Sequence, residues 1–305
     1  DESNLSYDRG NKTFIATLKR GGPFGRSHRI WTSRNFSEWT DTGVLFHADE
    51  LDQQLAKKNI DARLSNPKLQ QPVKNVPANY NADIYNFGVF RYEGLYIGMP
   101  AVYHATGRLK ANTDGFHLIQ LACSRDLKQW TRLGGRQPFI GPSPVGPDVF
   151  DRTQLLPPSA PVEHNDELWF YYTGIKYRAS PENADEKMGA VCLAVLRRDG
   201  FVSLTAGPEV GQLITKPFTA TGDELLLNAN VHNGGEVRVE VLGDNGEPMP
   251  GFTLSDSVPL RGAGVAQVVG WHDANWARLA GKTIAIRIQL RSADLYSFHV
   301  RRVQR

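Results

Sequence analysis

The chain has 305 residues, a formal net charge of +3 at pH 7, and 22% charged and 10% aromatic residues. A charge this small, without a long run of Lys and Arg, argues against a nucleic-acid partner. No apolar run approaches the roughly 20 residues that a membrane-spanning helix needs, so no membrane partner is expected. A chain of this length can form one large all-β domain or two smaller ones.

An internal repeat organises the first two thirds of the chain. Residues 33–40 and 124–131 both read Ser-Arg-polar-apolar-x-x-Trp-Thr, and a weaker third copy lies at residues 196–203. Each copy follows an apolar, strand-like run. A turn that follows an outer strand and places a Trp over an apolar face is typical of a propeller blade, so the repeat predicts a β-propeller. Asp126 and Asp199, inside the repeat, are expected to shape the turns.

The predicted elements follow this repeat along the chain. The first blade covers residues 1–50, and the two clearer blades cover residues 79–140 and 154–206. Between them, residues 49–78 are polar, and their loosely spaced Leu and Ile residues predict a short helix that stops before Pro67. Known propellers have about 4–8 blades, more than the three that the sequence pattern predicts. Either further blades are too degraded to recognise or N-terminal sequence is missing from this chain, and we expect the second.

The pattern changes at residue 207. From there to residue 305, short alternating segments separated by Gly- and Asn-containing turns predict an antiparallel β-sandwich. The expected strands are residues 213–217, 224–231, 236–242, 252–254, 264–271 and 282–290. The sequence thus predicts an all-β chain with a propeller domain at residues 1–206 and a sandwich domain at residues 207–305.

The candidate catalytic residues are carboxylates that precede the first strand of each blade. Propellers present the starts of their innermost strands to a central funnel, which makes Asp83, Asp151 and Asp1 the acids of interest, with Glu2 beside the last. Glycoside hydrolysis needs two such groups, one to protonate the leaving oxygen and one to activate water or attack the anomeric carbon. Close carboxylates also push their pKa values apart. Each residue taken alone can equally be a turn cap.

The candidate substrate-binding residues are aromatic or polar and lie near the same strand starts. Aromatic rings suit the apolar faces of sugars, and polar groups suit the hydroxyls. Lys176 or Arg178 can also meet an anionic substituent such as a uronate or a sulfate, although solvation of these long side chains is the alternative. The candidates are Tyr80, Tyr85, Tyr103, His104, Gln154, Lys176, Tyr177 and Arg178.

Two blade-like segments resemble a known superfamily. Residues 83–90 followed by Glu93-Gly94-Leu95-Tyr96, and residues 159–162 followed by residues 166–172, are similar to segments of the five-bladed propeller glycosidases, which include glycoside hydrolase families 32, 43 and 117. The resemblance covers about residues 1–205. It implies a five-bladed propeller with three acidic residues at the base of the funnel, followed in many members by a β-sandwich.

Carried over residue by residue, the resemblance implies catalytic roles for Asp83 and Asp151, with Asp1 as a third acid. The chain departs from the families at two points. It lacks the Trp-Met-Asn-Asp-Pro-Asn-Gly signature of family 32, and Ser159-Ala160-Pro161 stands where family 43 often has Glu, a small residue and Pro. The general acid is therefore not assigned by the resemblance.

These observations predict a glycoside hydrolase that acts on a poly- or oligosaccharide through funnel carboxylates. The alternatives are a non-catalytic glycan-binding propeller and a structural or assembly role. No cofactor is expected to be required, although a structural calcium ion in the funnel is an option. The expected partner is a carbohydrate substrate and the expected location is extracellular or periplasmic, while the oligomeric state stays open.

Overall fold

The computed structural model describes residues 3–109, 112–179 and 187–303 and is almost entirely β-structure, which confirms the all-β prediction. Within those ranges the single α-helix is α1, Glu50–Leu64. Short 3-10 turns lie at Pro77–Asn79, Gly134–Arg136 and Trp276–Leu279. The chain divides into two compact units, Asp1–Val195 and Leu196–Arg305.

Among its described residues, the first unit contains three antiparallel sheets, one in each stretch that the sequence predicts to be a blade. The first sheet has the strand order β1-β2-β3-β4, with consecutive strands as neighbours. Its strands are β1 Ser3–Asp8, β2 Thr13–Gly22, β3 Gly25–Ser33 and β4 Thr40–Phe46. Each strand therefore hydrogen-bonds to the next one along the chain, as in a blade.

The second sheet is built on one long strand, β6 (Leu95–Arg108), that pairs with three others. One edge of β6 pairs with β5 (Asn81–Tyr92). On the other edge, its first half pairs with β8 (Ala122–Ser124) and its second half pairs with β7 (Thr113–Ile119). The strands are β5 Asn81–Tyr92, β6 Leu95–Arg108, β7 Thr113–Ile119, β8 Ala122–Ser124 and β9 Thr131–Arg132.

The third sheet has the order β10-β12-β11, with β13 also paired to β12. Its strands are β10 Gln154–Leu156, β11 Val162–His164, β12 Glu167–Ile175 and β13 Gly189–Arg197.

Aromatic packing joins the first two sheets. Phe46 at the end of β4 stacks on Phe87 of β5 with ring centroids 4.1 Å apart, and Trp130 meets Phe87 edge-on at 5.3 Å. The hydroxyl of Thr17 donates to the Phe87 carbonyl at 2.6 Å, so a polar group of β2 is satisfied inside this contact. Each fully buried side chain of this kind contributes roughly 1.5–3 kcal/mol through burial.

The sequence repeat forms a tight turn with a fixed set of hydrogen bonds. In the downstream copy the Asp126 carboxylate accepts from the backbone amides of Lys128 and Gln129 at 2.8 and 2.9 Å. Trp130 donates its indole N–H to the carbonyl of Leu127, whose φ is +64°. This geometry explains why the repeat needs a short polar acceptor at its third position and a Trp at its seventh.

The upstream copy has the same geometry with an amide in place of the carboxylate. Asn35 Oδ1 accepts from the amides of Ser37 and Glu38 at 3.0 and 2.9 Å. Trp39 donates to the carbonyl of Phe36, whose φ is +65°. Asp126 is therefore a turn residue in the structure, as the sequence predicts.

Helix α1 confirms the helix predicted in the polar insertion. Asp49 caps its N-terminus in a capping box with Asp52, and it ends at Leu64, before Pro67. Arg136 donates to the Asp49 carboxylate at 2.5 and 2.6 Å, and Arg132 donates to Asp52 at 3.1 and 3.2 Å. Because few apolar residues of the helix face inward, these ion pairs hold its N-terminal end in place.

The second unit is organised around two strands of 19 residues, β17 and β21, which pair along their length. The sequence predicts two strands at residues 224–231 and 236–242, but the structure has one strand with a register shift between Val231 and Glu236. The strands are β14 Leu204–Ala206, β15 Gly211–Ile214, β16 Phe218–Thr219, β17 Glu224–Leu242, β18 Ser257–Val258, β19 Ala263–Val268, β20 Gly270–Trp271 and β21 Thr283–Arg301.

The prediction of a strand at residues 252–254 is wrong, because the structure has a turn there. Phe252 is buried, and its ring lies 5.1 Å from that of Trp271, so the apolar residue that suggested a strand anchors a turn to the core. Thr253 and Asp256 close the turn, since the Asp256 carboxylate accepts from both the amide and the hydroxyl of Thr253.

Candidate functional site

Asp83 is a buried carboxylate on β5 with one oxygen paired and one oxygen left over. Its Oδ2 accepts from Arg26 Nε at 2.8 Å, and its Oδ1 is buried without a hydrogen-bond partner among the described residues. The residue is 5% exposed. Gly25 allows the close approach of β3, because its φ is +116° and a Cβ there would lie 2.9 Å from Asp83 Oδ2.

The surroundings of Asp83 favour its protonated form. Burial raises the pKa of this carboxyl above its usual value, and the nearby charges of Arg26 and Lys19 offset only part of the rise. A carboxyl that holds its proton to higher pH, with an oxygen that no group of the described residues contacts by a hydrogen bond, can serve as a proton donor.

Tyr85 and Tyr103 form an aromatic wall beside this carboxyl. Tyr103 lies opposite Asp83 in the β5–β6 register, and Tyr85 sits where that register shifts between Ile84 and Asn86. The shift is a local bulge, a feature that redirects a side chain. The rings of Tyr85 and Tyr103 are 5.9 Å apart, and the phenol of Tyr103 donates to the Thr113 carbonyl at 2.8 Å.

Three cationic side chains surround the ring of Tyr85. Lys19 Nζ lies 4.1 Å from the ring centroid, and the guanidinium carbons of Arg26 and Arg178 lie 4.7 and 5.2 Å from it. Arg178 also donates to the Tyr85 hydroxyl at 3.2 Å and to Gln154 Oε1 at 3.0 Å. Lys19 and Arg26 come from the first sheet, Arg178 follows the end of β12, and all three meet a tyrosine of the second sheet.

His117 backs the aromatic wall. It is fully buried, and its ring lies 4.6 Å from that of Tyr85 and 5.0 Å from that of Tyr103. Neither ring nitrogen has a hydrogen-bond partner among the described residues. Burial, and then the positive charge of Arg178, hold the pKa of His117 well below its usual value, so this ring is neutral and acts as part of the wall.

Asp151 is buried with partners of its own. Its Oδ2 accepts from the hydroxyls of Ser143 and Tyr172 at 2.8 and 2.7 Å. Burial and the hydrogen bond to Asp151 raise the pKa of Tyr172, which therefore stays a donor. These partners differ from the partner of Asp83, so the two carboxylates occupy separate hydrogen-bond networks.

Of the predicted residues, the structure brings together Asp83, Tyr85, Tyr103, Gln154 and Arg178. Tyr177 lies beside them, and its carbonyl accepts from Gln154 Nε2 at 3.4 Å. The sequence analysis missed Lys19 and Arg26. The sequence feature that could have identified them is their position on either side of the turn that follows Gly21 and Gly22. In the structure, the residues at this turn contact β5, where Arg26 pairs with Asp83.

Other predicted residues have their polar atoms engaged elsewhere. Tyr80 donates to Asn75 at 2.7 Å, and buried Lys176 lies over the ring of Phe150 at 4.5 Å. His104 contacts the Val102 carbonyl through Nδ1 and Asn59 Nδ2 through Nε2, and burial lowers its pKa to about 4. Asp1 lies outside the described residues.

Across residues 3–109, 112–179 and 187–303, no group of three or more His, Cys, Asp and Glu side chains is placed to hold a metal ion. The structural calcium ion therefore stays a prediction. Over the same residues, no helix combines the length and the apolar character that crossing a membrane requires.

Comparisons with known proteins give remote similarities only. No protein-family model and no curated protein matches the chain. A β-1,2-mannobiose phosphorylase from Listeria innocua is 16% identical, with a TM-score of 0.38 over 67% of this chain and 42% of that one. An N-acetylgalactosamine deacetylase from F. plautii is 12% identical, with a TM-score of 0.36 over 63% and 48%. A family 32 β-fructofuranosidase from Bombyx mori is 10% identical, with a TM-score of 0.26 over 98% and 79%.

These structural neighbours are carbohydrate-active enzymes. The chain spans less than half of the length of the first two. At identities of 10–16% and TM-scores below 0.5, the similarities carry no argument about the activity of this chain.

Proposed function

We propose that the first unit is the propeller domain of a glycoside hydrolase, with Asp83 as the group that protonates the leaving oxygen. The observation that carries this proposal is the buried Asp83 carboxyl beside a wall of two tyrosines, with a raised pKa and one oxygen that has no hydrogen-bond partner among the described residues. The first sheet, in which four consecutive antiparallel strands are neighbours, supports a propeller architecture.

In this mechanism the sugar stacks on the half-buried ring of Tyr85, which the fully buried ring of Tyr103 backs, while its polar groups meet Gln154 and Arg178. Asp83 gives its proton to the glycosidic oxygen as the bond to the anomeric carbon breaks. A water molecule supplies the new oxygen on that carbon, and a second carboxylate takes the water's proton. Asp151 and Asp1 are the proposed candidates for this second role.

Binding of a glycan without hydrolysis is the second candidate function. The observation that favours it is the state of Asp151, whose Oδ2 is already occupied by the hydroxyls of Ser143 and Tyr172. A carboxylate that is engaged in this way is a poorer base than one that faces water.

The test is hydrolysis of galacto-, manno-, xylo-, arabino- and fructo-oligosaccharides by the chain and by its Asp83→Asn and Asp151→Asn variants. Asp166→Asn, in an exposed hairpin turn, is the matched control. Loss of a general acid lowers the rate by roughly 10²–10⁴. We expect that loss for Asp83→Asn and full activity for Asp166→Asn.

The outcomes separate the two candidate functions. Full activity in a folded Asp83→Asn variant would remove Asp83 from the mechanism. Binding of a sugar without hydrolysis by the unsubstituted chain would leave the glycan-binding function.

A further inference from the structure

We propose that β13 pairs edge to edge with β13 of a second copy of this chain, so that the protein forms a two-fold symmetric dimer. This interaction does not depend on the proposed hydrolase activity. Three features of β13 carry it, namely its open edge, the apolar side chains at that edge, and the match between the strand and a second copy of itself.

The open edge of β13 becomes clear when the three sheets of the first unit are compared. In the first sheet the strand before the repeat, β3, pairs with the strand after it, β4, and in the second sheet β8 likewise pairs with β9. The third copy of the repeat begins at the end of β13, but the strand after it, β14, pairs with β21 of the second unit. Among the described residues β13 pairs with β12 alone. The edge of β13 that corresponds to the paired edges of β3 and β8 is therefore open.

The backbone groups of alternate residues point toward this open edge. The amide of Lys176, just past the end of β12, donates to the carbonyl of Met188 at 2.9 Å. In an antiparallel pair the N–H and C=O of one residue point to the same side, and the side alternates along the strand. The backbone groups of Val191, Leu193 and Val195 consequently point away from β12. Such a row of free N–H and C=O groups is a template for another strand.

The side chains at this edge are apolar and exposed. Val191 is 74% exposed, Val195 is 51% exposed and Leu193 is 44% exposed, and the residues between them are half-buried. Native proteins commonly protect an open edge strand with a charged residue, a proline or a bulge. Residues 189–196 contain no charged residue and no proline. An apolar edge without this protection is suited to being covered by a partner strand.

The sequence of β13 suits pairing with a second copy of the same strand. A two-fold axis at Leu193 places this residue opposite its own copy, and it places Val191 of each copy opposite Val195 of the other. All positions opposed between these pairs are apolar, and apolar pairs directly opposite each other stabilise antiparallel strands. Arg197, the one charged residue of β13, falls opposite Gly189, so no like charges meet. A two-fold axis also closes the assembly at two copies.

The first test is the mass of the chain in solution, measured by sedimentation equilibrium between about 1 and 100 µM. We expect an equilibrium between the chain of 33.9 kDa and a species of twice that mass. A chain that stays monomeric over this range would overturn the proposal.

Two variants test whether the dimer forms through β13. Leu193→Lys places two like charges opposite each other at the axis, and Leu193→Pro removes an N–H that points to the second copy without removing a hydrogen bond to β12. We expect each variant to raise the dissociation constant of the dimer by roughly tenfold or more. Val73→Lys, at a loop position that is 53% exposed, is the matched control and should leave the dissociation constant unchanged. Unchanged dimerisation of either folded Leu193 variant would overturn the proposal.

Hydrogen exchange of the unsubstituted chain gives a second readout that needs no variant. The amides of Val191, Leu193 and Val195 should gain protection as the chain concentration rises, because the dimer supplies their acceptors. The amides of Cys192 and Ala194 point to β12 and should show no such dependence. Fast exchange of the first three amides at every concentration would overturn the proposal. Full protection of the same amides in the monomer would also overturn it, because another segment would then cover the edge.

Discussion

Acid should destabilise the first unit through histidines that are buried in their neutral form. His28 on β3 is fully buried, and its Nε2 lies 3.1 Å from the carbonyl of Tyr85, to which it donates. Burial, opposed by this hydrogen bond, lowers the pKa of His28 from 6.5 to about 4. The folded chain therefore binds fewer protons than the unfolded chain at any pH between these values.

The sign and size of the effect follow from this difference. Stability is fully present above the unfolded pKa of 6.5 and is lost as the pH falls toward about 4. Between pH 8 and pH 5, His28 alone should lower the free energy of unfolding by about 2 kcal/mol. A His28→Gln variant keeps an N–H donor for the Tyr85 carbonyl but does not titrate. It should therefore lose about 2 kcal/mol of this pH dependence.

The assay is urea unfolding at pH 8 and pH 5, with hydrogen exchange of β2, β3 and β5 amides to follow the first unit. His164→Gln, at an exposed position of β11, is the control and should keep the pH dependence of the unsubstituted chain. If His28→Gln and the unsubstituted chain lose the same free energy between the two pH values, the reasoning about His28 is wrong.

Three further predictions concern residues described above. Asp126→Asn should leave the free energy of unfolding nearly unchanged, because Asn35 makes the same turn, whereas Asp126→Ala should lower it measurably in urea unfolding, because two backbone amides lose their acceptor; equal costs would contradict the shared geometry. Gly25→Ala should cost more than Gly134→Ala, because both positions have positive φ but only the first would crowd Asp83; equal unfolding midpoints would contradict this. Asp83→Asn should raise the free energy of unfolding, relative to the unsubstituted chain, more at pH 7 than at pH 4. The reason is that the pKa of Asp83 is raised in the folded chain, so the stability that this carboxyl contributes is lost as the pH rises above the usual value of 3.8. The reverse order would mean that the ion pair with Arg26 outweighs burial.

The features that the sequence predicts well depend on local patterns. The repeat of Ser, a polar acceptor and Trp closes its own turn through contacts within six residues, so its geometry is readable from spacing alone. The helix in the insertion is likewise bounded by Asp49 and Pro67, which act on their immediate neighbours.

The features that the sequence does not predict depend on pairings between distant residues. Lys19 and Arg26 reach the site only because the hairpin between β2 and β3 projects toward β5, about 60 residues later. The bulge that places Tyr85 is a register shift between two strands, and no residue type marks it. The single strand β17 likewise replaces two predicted strands because β21 pairs across the whole segment.

The position of α1 in the chain has a consequence for the order of folding. Three of the contacts that hold the helix come from far downstream, since Arg132, Arg136 and the Arg152 carbonyl are 80, 87 and 89 positions from their partners Asp52, the N-cap Asp49 and Arg63. An isolated helix of 15 residues is marginal in water. During synthesis α1 therefore emerges well before its partners, and it should gain protection from hydrogen exchange only after the second sheet has closed. Pulse-labelling of refolding chains, with β5 and β6 amides protected before those of α1, would reveal this order.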